Sequence, residues 1–229
     1  MSFPDSIHAR LRAAVLASLP CQAAPVQLAL GALLSAQHEP VHTLIACSFD
    51  ESEACLHVGA ALDLVHVGLQ RLHARVDDPE AEGGAALLGT AGNVLAGDYL
   101  TSGSFKLLVH CREMPVLQQV ADAITRTCEL ECAALGRPGP SPQERAIPLG
   151  AAAARAGAML ARLTDAEGLA LAERFGTAYA AGAVAAAAGA RDEALSHAEA
   201  AIAAAEALRQ RGLTRPLELA ERWRASLLG

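Results

Sequence analysis

Aromatic residues make up only 3% of the 229-residue chain, and lysine occurs once, as Lys106, among 18 basic residues. A nucleic-acid binder needs a basic footprint and usually stacking rings, so a net charge of −7 with so few aromatics excludes that class. The six cysteines, at 21, 47, 55, 111, 128 and 132, include no CxxC pair and no regular spacing. That argues against a disulfide framework and predicts reduced, buried thiols in a cytoplasmic protein. Long apolar runs are lacking as well. Ala13 to His38 carries no charge, but Pro20 and Pro25 interrupt it and the mean hydropathy is only +0.27, so no membrane span is expected. The string Leu16 to Cys21 is a poor lipoprotein cleavage site, because Asp5 stands in the head and the apolar run is short.

What the chain does have is apolar mass: 52% hydrophobic residues against 19% charged, enough to exclude wholesale disorder. Its pattern is helical almost throughout. Ile7, Leu11, Val15 and Leu19 form a four-residue stripe, with Asp5 or Ser6 to cap its start and Pro20 just past its end. Further helices are predicted from about Pro25 to Gln37, His42 to Ser48, Glu53 to Val76, Leu87 to Val109 and Pro115 to Leu135. Three alanine-rich ones follow at about 148–163, 165–188 and 190–211, then a short one from Pro216. The stripe Leu56, Ala60, Leu64, Val67 and Leu72 drifts around the long fourth helix, which a curved or deeply buried helix tolerates. Only Val41 to Phe49 is ambiguous between helix and strand. The class is all-α, a bundle of long, mostly antiparallel helices. The Pro-rich stretch 137–142 is the clearest linker, yet residues 1–229 are read as one domain, because the alanine-rich remainder has too few large side chains for its own core.

Several side-chain groupings invite a chemical reading. Asp77, Asp78, Glu80 and Glu82 crowd four carboxylates into six residues, but Pro79 breaks any helix that would stack them, so a solvated acidic loop is favoured over a metal site. His66, Gln70 and His73 share a helical face, with His57 further back. A hydrogen-bonded core or interface histidine is favoured there over a ligand. Cys128 and Cys132, one turn apart, are read as buried thiols on a core face rather than half of a zinc site. Asp98, following a glycine at a helical bend, is expected to satisfy orphan backbone amides.

Two stretches carry a resemblance: Leu64-Val65-His66, and Val94 followed by Leu95-Ala96-Gly97-Asp98-Tyr99-Leu100. The sequence resembles the trans-polyprenyl diphosphate synthases, which have the all-helical isoprenoid synthase fold. In them a Leu-aliphatic-His segment runs into a first aspartate-rich motif, DDxxD, and an LAGDYL-like stretch opens the next long helix; the spacing from His66 to Gly97 agrees. Phe175-Gly176 and the alanine-rich helix ending in Leu208 resemble later family helices in order. The resemblance implies transfer of an allylic cation to isopentenyl diphosphate, with magnesium held by hard oxygen ligands on two facing motifs.

The departures decide the expected role. His66 is followed by Val67-Gly68-Leu69-Gln70-Arg71, with no carboxylate, and Val184 to Arg191 stands where the second motif would fall. The family's glycine-lysine-arginine element has no counterpart in the uncharged Ala24 to Leu34. Within the family the resemblance is to the small subunit of two-component long-chain synthases, heptaprenyl diphosphate synthase component one, through Leu64 to His73 and Ala96 to Ser104. It implies a noncatalytic subunit serving isoprenoid quinone (menaquinone) side-chain synthesis, with no catalytic residue and no metal in this chain; Mg2+ is expected only in a catalytic partner. That partner is a large subunit, or else a second copy, and the docking helices would present Leu69, Leu72, His73, Leu95, Leu100 and Phe105. A stand-alone isoprenoid-binding or scaffold protein is the alternative, and an active enzyme with rebuilt diphosphate chemistry is a weaker third.

Overall fold

The computed structural model describes residues 3–20, 23–35, 39–73, 84–135 and 138–229. Among these, ten α-helices occur and no strand: α1 (Phe3–Ser18), α2 (Ala24–Leu33), α3 (Val41–Phe49), α4 (Glu53–His66), α5 (Gly84–Leu108), α6 (Met114–Ala134), α7 (Pro142–Leu160), α8 (Ala166–Ala187), α9 (Arg191–Arg209) and α10 (Arg215–Leu228). A π-helical turn, Val67–Leu72, extends α4. None of the described helices is long and apolar enough to cross a membrane.

Local sequence sets the starts. Ser52 caps α4 by accepting from the Cys55 amide, and Asp165 caps α8 by accepting from that of Gly168. The expected start of α7 near 148 is corrected to Pro142. Ser141 and Glu144 form a reciprocal capping box (3.2 and 2.7 Å), and Pro142 occupies the first turn, where its missing N–H costs nothing. The predicted linker therefore ends in a helix start, and Pro148 lies inside α7.

The stripe of α1 turns inward as patterned, with Ile7, Leu11, Val15 and Leu19 all buried. The ambiguous Val41 to Phe49 is a helix, α3, whose residues from His42 to Phe49 are all buried. An element enclosed on every side shows no polar face, which is why its periodicity was mute. α7 packs against α3, α4, α6 and α8; α8 continues to α9, and α9 to α10, while α5 covers α4 and the π turn. One contiguous core runs from Ile7 to Trp223.

Small residues set the spacing. A Cβ on Gly176 would lie 2.6 Å from the Ala154 Cβ, and one on Gly150 would lie 2.6 Å from the Gly176 carbonyl oxygen, so α7 and α8 cross backbone to backbone. Gly157 does the same against the Ala46 carbonyl of α3. Replacing Gly176 with alanine is expected to lower stability by ~1–3 kcal/mol, since neither neighbour is a flexible side-chain end. Chemical denaturation followed by fluorescence of Trp223, the one tryptophan, measures it; an unchanged midpoint contradicts this account of the crossing.

Candidate functional site

α4 delivers two sets of polar groups to the middle of the bundle. Asp63 is 1% exposed, and its carboxylate accepts from the backbone amides of His42 (3.1 Å) and Thr43 (3.0 Å), from the Thr43 hydroxyl (2.6 Å), and pairs with His42 Nδ1 (2.8 Å). It is a capping group supplied from another helix to the first turn of α3. Gly59, one turn earlier, permits the approach: a Cβ there would press on the Thr43 backbone. The sequence held the signal, for Asp63 is the one acid between Glu53 and Asp77 and sits in an apolar run.

His66 begins a second chain of contacts. Its Nδ1 lies 2.6 Å from Gln70 Oε1, and Gln70 Nε2 donates to the Arg145 carbonyl at 2.8 Å. Arg145 in turn pairs with Glu131 of α6 at 2.7 Å. Burial, then the neighbouring His42 with ring centroids 5.4 Å away, pushes the His66 pKa down to about 3, so this ring is neutral at pH 7.

After His66 the backbone widens into the π turn. The drift in the sequence stripe, five residues from Val67 to Leu72, is what a turn with i→i+5 bonds accommodates, and Val67, Gly68 and Leu72 are all buried. A Cβ on Gly68 would lie 2.6 Å from Thr101 Oγ1 and 2.9 Å from the Gly97 carbonyl oxygen, leaving no room for an acidic side chain. Arg71 is exposed. Leu72-His73 repeats the Leu-His signature further on, ahead of Ala74-Arg75-Val76-Asp77-Asp78. Residues 74–83, and with them the acidic stretch Asp77, Asp78, Glu80 and Glu82, lie outside the described residues, as does Cys21.

Gly97 faces the π turn, and the space beside it holds the His73 ring. His73 Nε2 contacts the Val94 carbonyl oxygen at 3.1 Å and Asp98 Oδ1 at 3.3 Å. Asp98 is thus corrected from a backbone cap to an exposed mid-helix partner of His73, because α5 runs straight through it with its amides already bonded. Tyr99 is half-buried beside the core.

The proposed docking residues separate by helical phase. Leu95 (68% exposed) and Phe105 (51%) stand on the outer face of α5, and Val109 (69%) follows directly past its end. Leu100 and Leu72 are buried in the chain's own core and are corrected: Leu100 belongs to the inward stripe Ala96, Leu100, Ser104 and Leu107, and Leu72 is turned inward by the π turn. Leu69 and His73 are half-buried. The cysteine reading is corrected likewise. Cys132 is exposed and Cys128 half-buried, since α6 turns Val116, Val120, Ala123, Ile124 and Thr127 inward.

On α8 the stretch expected to match the second motif follows a column of rings. Phe49 meets Phe175 (centroids 5.9 Å), Phe175 meets Tyr179 (6.0 Å), and Tyr179 meets Trp223 of α10 (4.7 Å). Trp223 covers Gly182, whose missing Cβ would otherwise clash with it and lie 2.7 Å from the His197 Cβ. Tyr179 donates to Glu39 at 3.3 Å, and burial holds the Glu39 pKa above its ordinary value. Asp192 and Glu193 are exposed in the first turn of α9. Among the described residues no three His, Cys, Asp or Glu side chains are placed to hold a metal ion.

This architecture is the isoprenoid synthase fold. An isoprenoid synthase family member from Thermotoga neapolitana superposes over 98% of this chain and 100% of its own, with a TM-score of 0.74 at 19% identity. The geranyltranstransferase of Thermotoga maritima covers 99% of both chains with a TM-score of 0.75 at 15% identity. The heptaprenyl diphosphate synthase of Staphylococcus aureus matches 78% of this chain and 61% of its own, with a TM-score of 0.59 at 17% identity. No protein-family model matches the sequence, and no curated protein matches it either. At these identities the likeness is one of fold.

Replacing Asp63 with alanine strands two buried amides and His42 at once. A loss of ~3 kcal/mol or more is expected, with Asp63→Asn intermediate because it retains one acceptor oxygen. Thermal unfolding by far-UV circular dichroism measures the order; equal stability of all three proteins would remove Asp63 from the cap.

Proposed function

We propose that this chain is the noncatalytic subunit of a heteromeric long-chain trans-prenyl diphosphate synthase and serves isoprenoid quinone synthesis through a partner that carries the aspartate-rich motifs. What supports the reading is that, in an isoprenoid synthase fold, the described stretches expected to match the two motifs hold packing residues. Gly68 lies against the backbone of α5, Trp223 covers Gly182, and α8 beyond Gly182 continues through the apolar stretch Ala183 to Ala188. Magnesium-diphosphate chemistry needs several oxygen donors converging from facing helices, and apolar side chains cannot supply them. The outer face of α5 supports the second half of the reading. Leu95, Phe105 and Val109 present large apolar groups around the small Ser102, the mixture that a close helix–helix seam uses.

Mixing the purified chain with a motif-bearing large prenyl synthase subunit is expected to give long-chain product from farnesyl and isopentenyl diphosphates that neither protein makes alone. Phe105→Asp should lower that activity at least tenfold by placing a charge in the seam, while leaving the melting temperature of the isolated chain within a few degrees, since Phe105 is half-exposed. An inactive mixture together with a chain that sediments as a monomer overturns the reading. Saturable binding of a farnesyl probe by that monomer would then favour the stand-alone binding protein.

A further inference from the structure

His57 of α4 stacks on His110, in the corner that joins α5 to α6, with ring centroids 4.8 Å apart and an interplanar angle of 28°. No prenyl synthase role uses this pair. The corner is short and conformationally constrained. Arg112 adopts φ 55°, a left-handed conformation rarely taken by a residue with a side chain, and Glu113 is tied to Arg162 at 3.5 Å. Cys111 beside it is buried, and burial raises its thiol pKa.

We propose that the His57–His110 stack is a proton-sensitive joint, which holds the α5–α6 corner on α4 while His57 is neutral and loosens it when His57 takes up a proton. A proton on His57 is disfavoured in this half-buried stack, and the surrounding charges do little to offset that. Arg10 of α1 faces the pair and adds positive charge. Glu53 of α4 opposes it, but its carboxylate is already bonded to Arg10 at 2.6 Å. On the corner itself Arg112 and Glu113 flank His110, and Glu113 is engaged by Arg162. Burial, then His110, holds the pKa of His57 below its ordinary value of 6.5. In the released corner His57 takes up its proton at the ordinary value, so protons favour release. The hold is complete above about pH 6.5 and fades as pH falls through the lower folded value. The joint sits one residue beyond Val109, at the end of the exposed α5 stripe, and its operation is independent of any enzymatic reading.

Amide hydrogen exchange of the whole chain, followed by mass spectrometry at pH 7.5 and pH 5.0, tests it. Relative to unstructured-peptide rates, protection of residues 108–114 is expected to fall tenfold or more at the lower pH, while α7 and α8 keep theirs. His57→Phe preserves the stack without a titrating group on α4 and should protect the corner at both pH values. His110→Lys supplies a fixed charge and should expose it already at pH 7.5. Equal protection of the unaltered protein at both pH values overturns the proposal, as does an undiminished fall in His57→Phe.

Discussion

The bundle depends on how closely α7 can approach its neighbours. A chain this poor in aromatics buries little area per side chain, so its cohesion comes from many short-range contacts between backbones and methyl groups, which fall off steeply with separation. Gly150 and Gly176 remove the Cβ atoms at the α7–α8 crossing, and Gly157 removes one where α7 passes α3. Alanines at 152, 153, 154, 156 and 158 fill the remaining interface without widening it. With α7 so close, α3 is enclosed on every side.

That enclosure creates the chief polar problem of the structure. The first turn of α3 has amides that no water can reach, and a helix end in that position must be satisfied by protein groups. Asp63 meets the need from α4, and Gly59 brings α4 near enough for it to do so. The buried acid of α4 is therefore a structural one. Next along the same helix, His66 bonds to Gln70, Gln70 donates to the Arg145 carbonyl and Arg145 pairs with Glu131, which ties the π turn to α7 and α6.

Much of this was legible in the sequence wherever a helix has one dry face and one wet face. The stripe of α1 and the caps before α4 and α8 are local facts, decided within a turn or two of chain. Three features were not local. The start of α7 was hidden because Pro138, Pro140, Pro142 and Pro148 all read as breakers, although the Ser141–Glu144 box turns one of them into a first-turn residue. The π turn showed only as a drifting stripe, since the extra residue is absorbed by packing of Gly68 on Gly97. Asp63 gave a visible anomaly, an acid in an apolar run, but its partner lies across a helix crossing that periodicity does not encode. Exposure was hardest of all to read. Leu95 and Leu100 look alike in sequence, and a difference of five residues in a 3.6-residue period sets one in solvent and the other in the core.

Two of the tightest helix contacts in the bundle each set a glycine where its neighbours leave no room for a larger side chain. A carboxylate introduced at 68 would meet the Thr101 hydroxyl and the Gly97 carbonyl, both electron-rich, with the His73 ring against Gly97 on the next turn. Near the other helix, Trp223 closes over Gly182 and is itself held by Tyr179, so that α10 has become part of the packing there. Packing of this closeness at both contacts adds cohesion because short-range contacts fall off steeply with separation, and opening either face would require moving a helix rather than changing one side chain.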